Sequence, residues 1–114
     1  MSVNKVILLG HTGKDPEVKD VVGTKVANLS LATTEKGYTF QNGTQVPDRT
    51  EWHSLVFWKG LAEVVEKFVR KGSQIYVEGK IKTRQYEDKT GAKRYVTEIF
   101  VDKLELLDSK STQQ

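Results

Sequence analysis

The chain has 114 residues, of which 37% are hydrophobic and 29% charged, enough for one hydrophobic core and too few for two. It contains no cysteine, which excludes disulfides, thiolate nucleophiles, zinc–cysteine clusters and iron–sulfur ligation. The net charge of +3 is modest, so the placement of the cations carries more information than their sum.

The opening Met1-Ser2-Val3-Asn4-Lys5 leads directly into a short apolar strand pattern, with none of the long hydrophobic core of a signal peptide. No stretch approaches membrane-spanning length, so no membrane contact is expected, and the lack of cysteine is compatible with a reducing cytoplasm. Val3 to Leu9 predicts a first strand, closed by Gly10 and a turn-rich stretch through Gly13 and Pro16, with a short extended piece at Val18. Lys25 to Thr33 alternates, placing Ala27, Leu29 and Leu31 on one face, as a strand with one buried side requires. Thr34 to Arg49 is polar and holds Asn42-Gly43, a pair suited to a tight hairpin turn because both residues tolerate positive φ.

Thr50 to Trp58 predicts a third strand, with Trp52 and Trp58 on one face and Leu55 and Phe57 on the other. Leu61, Val64, Val65, Phe68 and Val69 then fall at the spacing of one helical stripe, with Gly72 placed to end the helix. Gln74 to Glu87 and Lys93 to Leu106 predict two long strands joined by a turn at Asp88-Lys89-Thr90-Gly91. Five strands with one α-helix between the third and fourth is the connectivity of an all-β, five-stranded oligonucleotide-binding barrel. One domain over residues 1–107 is expected, followed by a short disordered tail over 108–114 that carries no apolar residue after Ser109.

Along the fourth strand Ile75, Val77, Gly79, Ile81 and Thr83 share the face assigned to the core. Tyr76, Glu78, Lys80, Lys82, Arg84 and Tyr86 share the other. One aromatic-rich strand is more often half of a core than a ligand platform, and exposed lysines are ordinary. The recurrence of aromatics beside cations changes that balance: Trp52 and Trp58 on one strand, Tyr38 and Phe40 in the polar segment, Tyr86 beside Lys82 and Arg84. Rings stack on unpaired bases and cations neutralise phosphates, and neither contact reads a base edge. The pattern therefore points to sequence-tolerant binding of single strands, because a duplex keeps its bases stacked away from protein rings.

Val3-Asn4-Lys5-Val6-Ile7-Leu8, Gly13-Lys14-Asp15-Pro16-Glu17, Thr50-Glu51-Trp52-His53, Leu61-Ala62-Glu63, Arg70-Lys71-Gly72-Ser73-Gln74 and Glu78-Gly79, in this order over residues 1–106, resemble the bacterial single-stranded-DNA-binding protein family. The resemblance implies a homotetramer that coats single-stranded DNA in replication, recombination and repair, in the cytoplasm and associated with the nucleoid. It implies stacking roles for Tyr38, Trp52, Trp58 and Tyr86, phosphate contacts for Lys5, Arg70, Lys71, Lys82 and Arg84, and a subunit-interface position for His53, for which a local hydrogen bond is the competing reading. Two features depart from the family pattern. Trp58-Lys59-Gly60 stands where members commonly have an aromatic followed by Gly-Lys. The sequence also ends at Ser111-Thr112-Gln113-Gln114, where members carry a long linker and an acidic tip, so the resemblance does not extend to recruitment of replication and repair proteins through such a tip, whether the short end is natural or a truncation.

Catalysis is not expected. His11 and His53 lie on different elements, no histidine–carboxylate spacing supports a metal, Gly10, Gly13 and Gly23 are isolated, and Asp15 and Glu17 flank a turn proline with no third ligand. No cofactor is implied. The contrasting reading is a primosome-type accessory protein of the same fold that acts mainly by bridging other proteins. Such a protein has no need of four rings along a basic groove.

Overall fold

The computed structural model describes residues 1–107; the tail expected over 108–114 lies outside the described residues. In chain order the elements are β1 (Val6–Thr12), β2 (Glu17–Val21), β3 (Thr24–Glu35), β4 (Tyr38–Thr39), β5 (Gln45–Val46), β6 (Arg49–Trp58), α1 (Gly60–Phe68), β7 (Gln74–Glu87) and β8 (Lys93–Leu106). The sheet runs β1-β7-β8-β6-β3-β2, and β1 also pairs with β3, which closes β1, β3, β6, β7 and β8 into the five-stranded barrel with the helix between its third and fourth strands. All pairings are antiparallel except β6 with β8.

Alternation fills the barrel. Ala27, Leu29 and Leu31 of β3 face Leu55 and Phe57 of β6, and Ile75, Val77, Ile99 and Val101 complete the wall. Phe57 is fully buried, so its truncation to Ala would cost about 3–5 kcal/mol. The first strand starts later than the apolar pattern suggests. Gly10 does not close it but pairs with Ile75, and a Cβ there would fall on the Ala32 carbonyl oxygen, so glycine permits the close approach that seals the barrel.

The helical stripe also differs. Ala62, Val65 and Val69 are buried, while Phe68 is 58% exposed. The helix ends at Phe68 and Val69 is already extended, so its side chain reaches the core from outside the helix. Gly72, at φ 86°, serves the next turn, where Ser73 N–H donates to the Arg70 carbonyl, rather than ending the helix itself.

Past Gly79, β7 pairs only with β8, and the two leave the barrel as an arm. Ile81 and Thr83, assigned to the core by alternation, are therefore exposed, Ile81 by 45%. The root of the arm is clasped by Asn4, whose side-chain amide donates to the Ile81 carbonyl (2.9 Å) and accepts from the Ile81 N–H (3.0 Å). In β8 a bulge leaves Asp102 without a partner, since Glu78 faces Lys103 and Gly79 faces Val101. The extra residue shifts the alternation, so Ile99 and Val101 point inward before it, and Leu104 and Leu106 after it.

The polar segment after β3 forms the expected hairpin, by a different turn. Phe40 and Thr44 flank a three-residue loop in which Gly43 N–H donates to the Phe40 carbonyl. Among the loop's residues only Gly43 has positive φ, while the Asn42 side chain accepts from Thr44 N–H (2.9 Å).

Candidate nucleic-acid interface

The residues proposed to bind lie on the outside of the barrel and on its two projections. On β6, Trp52, Ser54, Val56 and Trp58 share the outer face, opposite Ala32, Ser30, Asn28 and Val26 of β3. The two indoles are separated by six residues, roughly 20 Å along a strand. Trp52 is 61% exposed and Trp58 38%, so neither is core. An open groove of about 320 Å³ lies on this outer face, with Lys14, Lys19, Asn28, Ser30, Ser54 and Glu98 in its lining.

The parallel pairing of β6 with β8 sets Phe100 beside Val56, and the pairing of β8 with β7 sets Lys80 beside Phe100 and Lys82 beside Glu98. The outer face thus continues from the tryptophan strand onto the cationic strand. Trp58 and Phe100 have ring centroids 6.1 Å apart with planes inclined by 33°, and the Lys82 Nζ sits 4.7 Å from the Phe100 centroid. The sequence reading missed Phe100; the alternation of Glu98 and Phe100 against buried Ile99 and Val101 was the available signal.

Tyr86 lies farther out on the arm, half-exposed, with the Arg84 guanidinium 6.0 Å from its ring. Tyr95 is 72% exposed on the arm's opposite face and was also passed over. Tyr38 stands on the β4–β5 hairpin in an edge-to-face pair with Phe40 (centroids 5.2 Å, 86°). The hairpin root is fixed by Gly37 N–H donating to Asp48 Oδ1 (2.7 Å), beside an open cleft of about 540 Å³ walled by Lys36, Tyr38, Pro47 and Arg49.

The five cations named from sequence sit in different electrostatic settings. Arg84 donates from Nε and Nη2 to the carboxylate of Glu98 (3.0 and 3.4 Å), a residue only 8% exposed, and this hydrogen bond raises the guanidinium pKa further. Lys5 pairs with Glu78 (2.9 Å). The Glu78 carboxyl is held below its ordinary range first by the Tyr76 hydroxyl and then by Lys5, and the same bond raises the Tyr76 phenol. Arg70 donates to the Glu66 and Val69 carbonyls at the end of α1 (2.9 and 2.7 Å). Among the described residues, Lys71 and Lys82 have no carboxylate partner. Lys71 belongs to the turn whose Gly72 N–H donates to the Thr12 carbonyl, next to Gly13, against which Trp52 rests. Lys59 takes φ 55° and turns the chain from β6 into α1, its N–H donating to the Lys25 carbonyl.

His53 faces Leu31 on the inner side of β6 and is half-buried, its Nε2 2.9 Å from the Thr33 hydroxyl, so the local hydrogen bond is present. No group of three or more His, Cys, Asp or Glu side chains suited to a metal ion occurs among the described residues. No helix is long and apolar enough to cross a membrane among those residues.

The model of the single-strand binding protein family matches residues 3–107. The chain belongs to that family. A single-stranded DNA-binding protein of Bacteroides thetaiotaomicron is 59% identical over 111 residues, which span 96% of this chain and 69% of the relative. A single-stranded DNA-binding protein of Rickettsia felis is 46% identical, over 97% of this chain and 76% of its own length. The fold superposes with a TM-score of 0.84 on a Plasmodium falciparum SSB in complex with ssDNA, at 32% identity, covering 95% of this chain and 97% of the other. Family membership agrees with the outer face built above, where rings and cations adjoin.

Proposed function

We propose that the chain binds single-stranded DNA without base-sequence preference and protects it during replication, recombination and repair. The observation that carries this reading is the continuous outer face on which exposed Trp52 and Trp58 adjoin Phe100, Lys82 and Arg84. Bases stack on Trp52 and Trp58 and, on the two projections, on Tyr38 and Tyr86. Phosphates meet Lys82 and Lys71 directly, and meet Arg84, Lys5 and Arg70 through the donors their present partners leave unused. Each stacked ring contributes roughly 1–3 kcal/mol, and all four bind any base. The protein acts by binding rather than catalysis, as a nucleoid-associated protein of the cytoplasm.

The assembly proposed is a homotetramer. Ile7 and Leu9 are 57% and 51% exposed on the outside of β1, and residues 6–10 of that strand pair with β7 along one edge only. An exposed apolar edge of this kind is suited to pairing with a second copy. His53 is proposed to lie at a subunit interface; among the described residues its Nδ1 is not engaged in a hydrogen bond.

Tryptophan fluorescence titrated with oligo-dT, with matched duplex as control and at low and high salt, tests the binding. Quenching by the single strand alone, weakening as salt rises, is expected. Absence of quenching and of single-strand preference would favour the protein-bridging alternative. Light scattering on the eluting protein checks for four copies.

A further inference from the structure

Phe100 is the one ring on the outer face with a cation stacked on it and a second ring alongside. It is half-buried on β8, where a Leu or Val would fill the same space against Val56. The Lys82 ammonium sits over its ring, 4.7 Å from the centroid, with the Trp58 ring alongside. A surface cation–π contact is weaker than a base stacked on a ring, so a nucleobase displaces the ammonium when one is offered. The displaced Lys82 stays tethered to the neighbouring strand, within side-chain reach of the phosphate that accompanies that base.

We propose that Phe100 is a fifth base-stacking residue, forming one inclined two-ring platform with Trp58, and that Lys82 exchanges from the ring to the phosphate as DNA binds. The two moves reinforce each other, because the cation gains a full negative charge in place of a ring quadrupole. In the free protein the ammonium occupies one approach to the Phe100 ring, while Trp58 beside it stays 38% exposed.

This rests on the single-strand reading, and the experiment separates the two. The chain has four phenylalanines, Phe40, Phe57, Phe68 and Phe100, so protein labelled with 4-fluorophenylalanine gives four fluorine resonances. The Phe100 resonance is assigned by its loss in Phe100→Tyr. On saturation with oligo-dT it is expected to shift, while that of Phe57, buried in the core, and that of Phe68, on α1, stay in place. Phe100→Leu is expected to weaken oligo-dT binding about fivefold or more with the salt slope unchanged, and Phe100→Tyr to retain affinity. A Phe100 resonance unmoved at saturation would overturn the proposal, as would Phe100→Leu binding within twofold of the parent. Failure of the unsubstituted protein to bind oligo-dT would instead sink the single-strand reading. The fluorine measurement decides the matter even if Phe100→Leu does not fold.

Discussion

The indole of Trp52 occupies the space that a side chain on Gly13 would need: a Cβ at residue 13 would fall on Cζ3 of the ring and lie 2.7 Å from Cη2. The Cζ3–Cη2 edge of the ring is thereby seated against the Gly13 backbone between β1 and β2, and the indole is 61% exposed. Gly13→Ala forces the indole off this seat. We expect a shifted tryptophan emission and a weakening of single-strand binding by about 1 kcal/mol, part of one stacking contribution, with little change in thermal midpoint. Unchanged affinity would show that the seat does not orient the ring.

Val22 and Gly23 form the two-residue turn between β2 and β3, flanked by the pair Val21 and Thr24, and both take positive φ (49° and 80°). A β-branched residue is strained there, and Val22 is 99% exposed, so its side chain contributes no packing. Val22→Asn should raise stability by about 1 kcal/mol, roughly 4 °C in thermal midpoint, without altering DNA affinity. Calorimetry checks it.

Asp88 anchors the turn at the tip of the arm. Its carboxylate accepts from the Thr90 hydroxyl, Arg94 Nε and the Thr90 and Ala92 amides, and these bonds, the Thr90 hydroxyl foremost, bring its pKa from the ordinary 3.8 to about 2. The folded turn prefers the ionised form, so its contribution is complete above the unfolded value near 4 and is lost as pH falls toward about 2. Amide shifts of Thr90 and Ala92, followed by NMR, should titrate near pH 2. Titration near pH 4 would contradict these bonds, and Asp88→Asn should abolish the transition.

Lys82 and Arg84 should separate in stability though not in binding. Each replaced by Ala lowers the magnitude of the slope of log affinity against log salt by about 0.7, one single-strand phosphate contact. Arg84→Ala alone leaves the covered Glu98 carboxylate without its ion-pair partner and should lower the thermal midpoint; Lys82→Ala should not. Adding Glu98→Gln to Arg84→Ala should restore part of the loss.

The five barrel strands and the helix between the third and fourth were legible because period-two alternation and turn residues are local signals, whereas the set of four stacking rings came from the family resemblance. What alternation alone could not give was where a strand stops touching its second neighbour. Ile81 looks like Ile75 and Val77 in sequence, yet β1 ends its pairing at Gly79 and leaves Ile81 outside. Phe68 fits the helical stripe by spacing, but the helix rests on the barrel through Ala62 and Val65, a small residue that periodicity undervalues. The carboxylate partners of Lys5 and Arg84 lie 73 and 14 residues away along the chain, so pairing them requires the strand register.

The clasp of Asn4 on Ile81 and the unpaired Asp102 mark the end of the barrel wall and the beginning of a cantilever. A beam held at one end is stiffest at its support and most compliant at its tip. Phe100 and the backbone of Lys82 lie beside that support, next to Trp58, whereas Tyr86 lies farther out toward the tip. In the proposed binding mode a flexible polymer laid across the molecule would meet one station at the support and a second, on the compliant tip, whose spacing would adjust to it, so that runs of differing backbone geometry would engage both with the same set of rings.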